Sequence, residues 1–221
     1  NSKFFKTTIE NAELIKVVYN TFISTKIAMI NSVMETCHYL PNTNIDDISN
    51  ALSLCNQRII SDKYLYGGMG DGGGCHPRDN IAMSWLAKKL NLSFNWYESI
   101  MEQREKQTEW LAKIVIENKI KKDQNIIILG KSFKPETNLI LGSPSILLKN
   151  ILEEMGENVL MWDPHIDTDD NNFLVENEIL TKPNLFFIGT KHENFKIFKF
   201  FEGSTIIDPF RYLNLPNKFK Y

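Results

Sequence analysis

Tyr66-Gly-Gly-Met-Gly-Asp-Gly-Gly-Gly-Cys-His-Pro-Arg-Asp-Asn80 is the stretch on which the reading of the fold turns. Six of the chain's 11 glycines fall within it. Helices and strands are weakened by glycine, which supplies positive φ and close backbone approach instead, so this is a loop against whose backbone something packs. Gly68-x-Gly70-x-x-Gly73 matches the dinucleotide-binding pattern letter for letter, but that pattern has meaning only between a buried strand and a helix. The preceding Ser61-Asp-Lys-Tyr-Leu-Tyr66 is too polar for a buried strand, so the dinucleotide reading of these glycines is rejected. The loop delivers Cys75, Pro77 fixes the chain, and an apolar-periodic run (Ile81, Met83, Trp85, Leu86) predicts a helix over 79–90. A thiol between a glycine loop and a helix N-terminus sits where the partial positive charge favours thiolate.

Upstream of the loop, residues 1–11 are polar and read as the remnant of a preceding domain. From Asn11 to about Leu40 the pattern is one long helix with two apolar stripes: Ile15, Val18, Phe22, Met29 and Val33, then Ile23, Ile27, Ile30, Met34 and Cys37. Two stripes mean burial on more than one side. The helix is either a central core helix alone or one that also forms a subunit interface. Lys16 and Asn20, at i and i+4, share a face; spacing alone makes them a solvated stripe. Asp46 and Asp47 are expected to cap a second helix to about Asn56, with Arg58 leading into the glycine loop. Downstream, residues 92–119 predict a further helix. The fold class is therefore α/β overall: an all-α domain over 12–119, then a Rossmann-like parallel α/β domain over 120–221.

The second domain begins where Asn125-Ile-Ile-Ile-Leu-Gly130 gives a short β-branched run stopped by glycine, a buried strand. Ser143-Pro144 opens a helix as cap and first residue. Val159–Trp162, Leu185–Ile188 and Thr205–Ile207 are further strands, and a helix around Glu193–Phe201 separates the last two. Alternation of strands and helices predicts a parallel sheet covered on both faces, with ligands beyond the carboxyl ends of its strands. Lys131–Lys134, Asp163, Thr190-Lys191 and Asp208–Arg211 fall there. This basic rim suits an anionic ligand such as a diphosphate, and equally suits ordinary solvated loop charge.

At 221 residues the chain can bury a real core, and its formal net charge of -2 points to neither nucleic acid nor an anionic membrane. No apolar run reaches the roughly 20 residues a membrane helix needs. Three widely spaced cysteines fit free thiols in a reducing, cytoplasmic setting. Cys37 and Cys55 are expected on apolar helix faces as small core residues. Cys37-His38 and Cys75-His76 are poor zinc patterns, so no metal is expected.

Ala12-Glu-Leu-Ile-Lys-Val-Val-Tyr-Asn20, Gly72-Gly-Gly-Cys-His-Pro-Arg-Asp79, Leu129-Gly-Lys-Ser-Phe-Lys-Pro-Glu-Thr137 with Ser143-Pro-Ser145, and Trp162-Asp-Pro164 occur in that order. Together they resemble the central and C-terminal parts of the UDP-glucose/GDP-mannose dehydrogenase family, over nearly the whole chain. The resemblance implies a central domain that dimerises through the long helix and a C-terminal domain that binds a UDP-sugar, with GDP-mannose as the alternative. It also implies a preceding NAD-binding domain outside residues 12–221. The reaction implied is a two-step, NAD-dependent oxidation of a sugar 6-alcohol to a carboxylate. Cys75 matches the nucleophile, Lys16 and Asn20 the pair stabilising charge on oxygen, and Asp79 the carboxylate associated with activating water. Tyr66, Gly67, Gly70, Gly72, Phe133, Lys134, Arg58 and Arg211 match substrate-binding positions along with Lys16 and Asn20. Cys75 and Arg78 match positions beside the cofactor.

This sequence departs from the family at Leu141, where an arginine is common, and at His76, where Phe or Leu is common. Arg211 sits in Asp-Pro-Phe-Arg where the family usually has Asp-x-Arg. Two other classes compete: a sugar-nucleotide-binding protein without catalysis, and a thiol-dependent acyl transferase using Cys75 with His76. A pure binder has no need of a thiol in a glycine loop, and no oriented His–carboxylate pair is visible in the sequence for the second.

Overall fold

The computed structural model describes residues 5–39, 41–55, 66–70, 74–89, 91, 95–168 and 179–214. Arg58 and Gly72, expected at a substrate site, lie outside the described residues.

The helical part opens with α1, Ile9–Tyr39, whose 31 residues make a rod of about 46 Å. Its two stripes have different fates. Ile23, Ile27, Ile30 and Met34 are buried, whereas Leu14, Ile15, Val18, Tyr19, Phe22 and Met29 remain exposed on the single chain. Helix α2 is Ile45–Ser53. Its cap is Asn44, whose Oδ1 accepts from the backbone N–H of Asp46 (2.7 Å) and Asp47 (3.1 Å). The two aspartates expected as caps sit instead in the first turn, where they meet the helix dipole. Cys55 lies past the end of α2 and is exposed, so it is no core residue; Cys37 is half-buried against the core.

Helix α3 runs Cys75–Lys89, four residues earlier than expected. Pro77 does not delay it, because the first-turn N–H groups have no helical acceptor to lose. Cys75 is thus the first residue of the helix. Helix α4 is Trp96–Glu117, capped by Asn95 Oδ1 on the N–H of Glu98 at 3.2 Å.

The sheet part follows: β1 Ile126–Leu129, α5 Pro144–Glu154, β2 Val159–Trp162, β3 Leu185–Ile188 and β4 Thr205–Ile207. All pairings are parallel in the order β2-β1-β3-β4. β1 and β3 are buried at every position, as strands covered on both faces must be. One apolar cluster joins the two parts: Ile30, Met34, Leu111 and Val115 of the helices pack with Ile126, Ile128, Leu148 and Phe187. The other face carries Ile127, Leu129, Phe186, Ile188, Phe195 and Ile206. Its cover differs from expectation. Instead of a helix over 193–201, a 3₁₀ turn (Glu193–Ile197) leads into an extended strip whose Phe198 and Phe200 pack on Phe186 at ring-centroid distances of 5.9 and 5.0 Å. Chain order reverses between β1 and β3, which opens a crevice at their carboxyl ends.

Candidate functional site

Two adjoining centres meet at the glycine loop. The first is a cavity of about 690 Å³ at the β1/β3 crevice. Its walls are Tyr66–Gly70 on the helical side and the segments after β1 (Phe133, Lys134, Pro135), β3 (Gly189–Lys191) and β4 (Phe210–Tyr212) on the sheet side. Tyr66, Gly67, Gly70, Phe133, Lys134 and Arg211, six positions marked in the sequence, line this one space. Lys191 and Lys196 add cations, while Asp46 is the sole carboxylate among the described lining residues. The cavity therefore presents excess positive charge.

The loop is glycine-rich because later segments of the chain press on it. A Cβ on Gly68 would lie 2.6 Å from the Phe210 ring, and one on Gly74 would lie 2.7 Å from the carbonyl oxygen of Leu141. Gly70 needs its φ of +83° and would strike Pro144 as well. Leu141, where an arginine was looked for, is exposed and meets the loop through its backbone. Two buried amides hold the loop's polar atoms. Asn31 accepts from Gly68 N–H and donates to Gly70 O, both at 3.0 Å, and Gln107 Nε2 donates to Gly68 O at 3.0 Å. Reading the sequence missed both, although each is a polar residue inside an apolar helical stripe, and that was the available signal.

Arg211 ties the two parts together. Asp208 accepts from Phe210 N (3.1 Å) and Leu213 N (2.7 Å), forming a turn that sets Arg211 at φ +51°. The guanidinium then donates to Asp46 Oδ1 and to Gly67 O, each at 2.8 Å, and to Pro209 O. Arg211 lines the cavity but spends most of its donors on protein acceptors.

The second centre is where α1 crosses the N-terminus of α3. Lys16 Nζ and Asn20 Nδ2 both donate to Asp79 Oδ2 at 2.6 Å, and Arg78 reaches Oδ1 at 3.3 Å. One turn further along α1, Ser24 Oγ pairs with His76 Nδ1 at 2.9 Å. Lys16, Asn20 and Ser24 thus form an i, i+4, i+8 row facing α3. Burial alone would push the Asp79 carboxyl up, but the bonds from Lys16 and Asn20 outweigh it and hold it below the ordinary carboxylate value. Burial pushes His76 below its usual value, against the pull of Asp79. Cys75 and Arg78 are exposed beside this cluster. Cys75 does not line the cavity; the two centres are joined by Gly70–Gly74, of which residues 71–73 lie outside the described residues.

A third polar group sits behind the cavity wall around Asp163, which the sequence placed beyond a strand end without indicating its burial or its partner His192. Asp163 is fully buried; its Oδ2 accepts from Lys131 N (2.7 Å), Ser132 N (3.0 Å) and His192 Nε2 (3.1 Å), its Oδ1 from His165 N (2.9 Å). Despite burial, these bonds hold its carboxyl far below the usual range.

Comparison with known proteins adds the following. Residues 10–106 match the profile described as UDP-glucose/GDP-mannose dehydrogenase family, central domain. The UDP-glucose 6-dehydrogenase TuaD of Bacillus subtilis is 32% identical over 160 residues, which is 72% of this chain and 34% of that protein. The chain thus spans about a third of the length of the curated relatives it matches. A UDP-glucose dehydrogenase structure from Pyrobaculum islandicum superposes with TM-score 0.77 at 21% identity, covering 95% of this chain and 50% of that one. A UDP-D-ManNAc dehydrogenase from Pyrococcus horikoshii gives TM-score 0.79 at 23% identity, covering 97% and 52%. At such identities the structural matches speak for the fold.

Proposed function

Because this chain belongs to the UDP-glucose/GDP-mannose dehydrogenase family, we propose that it carries the thiol and the sugar-nucleotide pocket of a UDP-glucose 6-dehydrogenase, NAD-dependent and acting in the cytoplasm. The observation that carries the reading is the convergence of Lys16, Asn20 and Asp79 beside Cys75, next to a basic cavity at the carboxyl ends of a parallel sheet. A nucleoside diphosphate sugar is anionic, and a cavity of about 690 Å³ is of a size to take one.

In this reading the sugar 6-alcohol is oxidised to an aldehyde and the Cys75 thiolate adds to its carbon, giving a thiohemiacetal. Loss of hydride from that carbon leaves a thioester. Water then adds, the thiolate leaves, and the carboxylate is released. NAD supplies the hydride acceptor at both oxidations. The residues present fit the reacting end of that cofactor: Cys75 and Arg78 stand open at the start of α3. The N-terminus of α5 is already covered, with Pro144 against Gly70. Lys16 and Asn20 present donors to oxygen as negative charge develops on it, and Asp79 positions both. Retention of this cluster beside a thiol favours a catalyst over a pure binder.

Calorimetric titration with UDP, UDP-glucose and GDP-mannose tests the pocket. UDP and UDP-glucose are expected to bind and GDP-mannose not to. Lys134→Ala, which removes an exposed cavity cation without touching the core, is expected to weaken UDP-glucose about tenfold. Binding of GDP-mannose alone would move the assignment to the GDP-mannose branch.

We assign the uncovered stripe of α1 to a homodimer. Ile15, Val18 and Phe22 are exposed on one face, with Trp85 of α3 also open, and single chains rarely leave such continuous apolar area to water. Val18→Glu is expected to turn a dimer into a monomer in sedimentation velocity. A wild-type chain that sediments as a monomer at high concentration would remove the assignment.

A further inference from the structure

Behind the wall of the cavity, three side chains from three loops bring metal-ligating atoms together. His165 Nε2 lies 3.1 Å from Glu136 Oε2, and His192 Nδ1 lies 3.6 Å from Glu136 Oε1. All three ligating atoms fall within 4.8 Å of one another. Ligands about 2.0–2.1 Å from a tetrahedral zinc are separated by about 3.3 Å, so these spacings bracket what a single ion requires. We propose that Glu136, His165 and His192 form a binding site for one zinc-class divalent cation, which fastens the loop after β1 to the ends of β2 and β3.

Four observations converge on this. His165 Nε2 is buried yet makes no well-directed hydrogen bond, although a Glu136 carboxylate oxygen stands 3.1 Å away; a cation between the two would satisfy both. His192 accepts the Glu136 backbone N–H on Nδ1 (3.0 Å), which leaves its proton on Nε2, facing Asp163 Oδ2. That is the outer-shell arrangement that orients a ligating histidine and strengthens Nδ1 as a donor to a metal. Metal binding exchanges the Glu136 N–H bond for a nitrogen–metal bond. Glu136 holds a left-handed backbone at φ +55°, a cost that a non-glycine residue carries where the position of its side chain is used. Finally, the carboxylates of Glu136 and Asp163 stand against the two imidazoles, and Lys131 beside them is paired with Asp167, so the local field favours a cation.

Two imidazoles and one carboxylate select a borderline transition ion over magnesium or calcium, which prefer oxygen. The consequence falls on the cavity, since Phe133, Lys134 and Pro135 of the fastened loop line it. The site does not depend on the dehydrogenase reading, because it uses none of Cys75, Lys16, Asn20 or Asp79.

The test is titration of the chelator-stripped chain with Zn²⁺, with Co²⁺ as an optical probe and Mg²⁺ as competitor. One equivalent of Zn²⁺ is expected, and Co²⁺ should give a tetrahedral nitrogen–oxygen spectrum without sulfur charge-transfer bands. Cys75→Ser should leave uptake unchanged, while His165→Ala and Glu136→Gln should each weaken it by about 100-fold or more. Glu136 is exposed, so Glu136→Gln carries the test even if His165→Ala folds poorly, and circular dichroism of the metal-free variants checks both. No uptake by the wild-type chain, uptake that persists in both variants, a thiolate spectrum, or equal competition by Mg²⁺ would each overturn the proposal.

Discussion

If the proposed dehydrogenase reading holds, Asp79→Ala is expected to lower turnover of UDP-glucose by about 10³-fold while leaving the fold intact. The size follows from what the carboxylate holds. Asp79 is the shared acceptor for Lys16 and Asn20, whose 2.6 Å bonds fix both donors on one side of the α3 N-terminus. Without it, the half-exposed Lys16 and Asn20 regain their rotamers, and the donors proposed for the developing oxyanion lose their fixed positions. No buried charge is stranded, because the Lys16 side chain is already 55% exposed. Far-UV dichroism should therefore be unchanged while the rate falls. The depressed titration of Asp79 sharpens the role. A carboxyl held below its ordinary value is ionised at every pH at which the protein works, and is a poorer proton acceptor than an unperturbed one. Asp79 should act as an anchor, so Asp79→Asn, which keeps an acceptor oxygen, should recover part of the rate without moving the acid limb of the pH–rate profile. A shifted acid limb would make Asp79 the base that activates water. The sign for stability runs the same way: a depressed carboxyl adds stability above about pH 4 that is lost as the pH falls below it. Turnover within threefold of wild type in Asp79→Ala would end both roles.

Much of this architecture was legible because it is local. Ile126–Leu129 reads as a buried strand from its β-branched run, and Ser143-Pro144 marks the start of α5 within a residue. The errors were local competitions between neighbours. Asp46 and Asp47 looked like caps, but Asn44, two and three residues earlier, has the spacing to reach both amides. Pro77 looked like the end of the loop, although the first turn of a helix accepts proline. The long helix announced two stripes, but nothing within one chain could say that only the Ile23–Met34 stripe would be covered by it. Long-range partners were harder still. Spacing put Lys16 and Asn20 on one face and left them solvated; their acceptor is 63 and 59 residues away, and only the family motifs marked it. The glycine loop was read as a backbone that something approaches. What approaches it here is Phe210, Pro144 and Leu141, brought in from 67 or more residues further along the chain. Glu136, His165 and His192 lie in three separate loops, so no ligand spacing exists to be read, and the adjacent Cys-His pairs, poor ligand patterns in the sequence, are no part of this cluster.

The buried acid behind that cluster should dominate stability. Asp163→Ala is expected to cost about 3–5 kcal/mol, read as a shift of the urea midpoint at unchanged slope. Asp163 is fully buried and is the common acceptor for the backbone N–H groups of Lys131, Ser132 and His165 and for His192 Nε2. Removing it leaves three amides without that acceptor in a region water reaches poorly, and each such donor costs about 1–3 kcal/mol, less than additively. His192 loses least, because Ser132 Oγ stands 2.9 Å from the same nitrogen. The Asn variant separates charge from hydrogen bonding. Its oxygen can take the Oδ2 position and keep three of the four bonds, but its NH₂ then faces the N–H of His165, donor against donor. Asp163→Asn should therefore cost about 1–2 kcal/mol, between wild type and Ala. Equal costs for Asn and Ala would mean that the negative charge, opposite Lys131 with its Asp167 partner, matters more than the acceptor count. A cost under about 1 kcal/mol for Ala would mean that the loop after β1 holds its shape without Asp163. The cavity wall at Phe133 and Lys134 would then owe its form to Thr190, whose Oγ1 donates to Ser132 O at 2.7 Å.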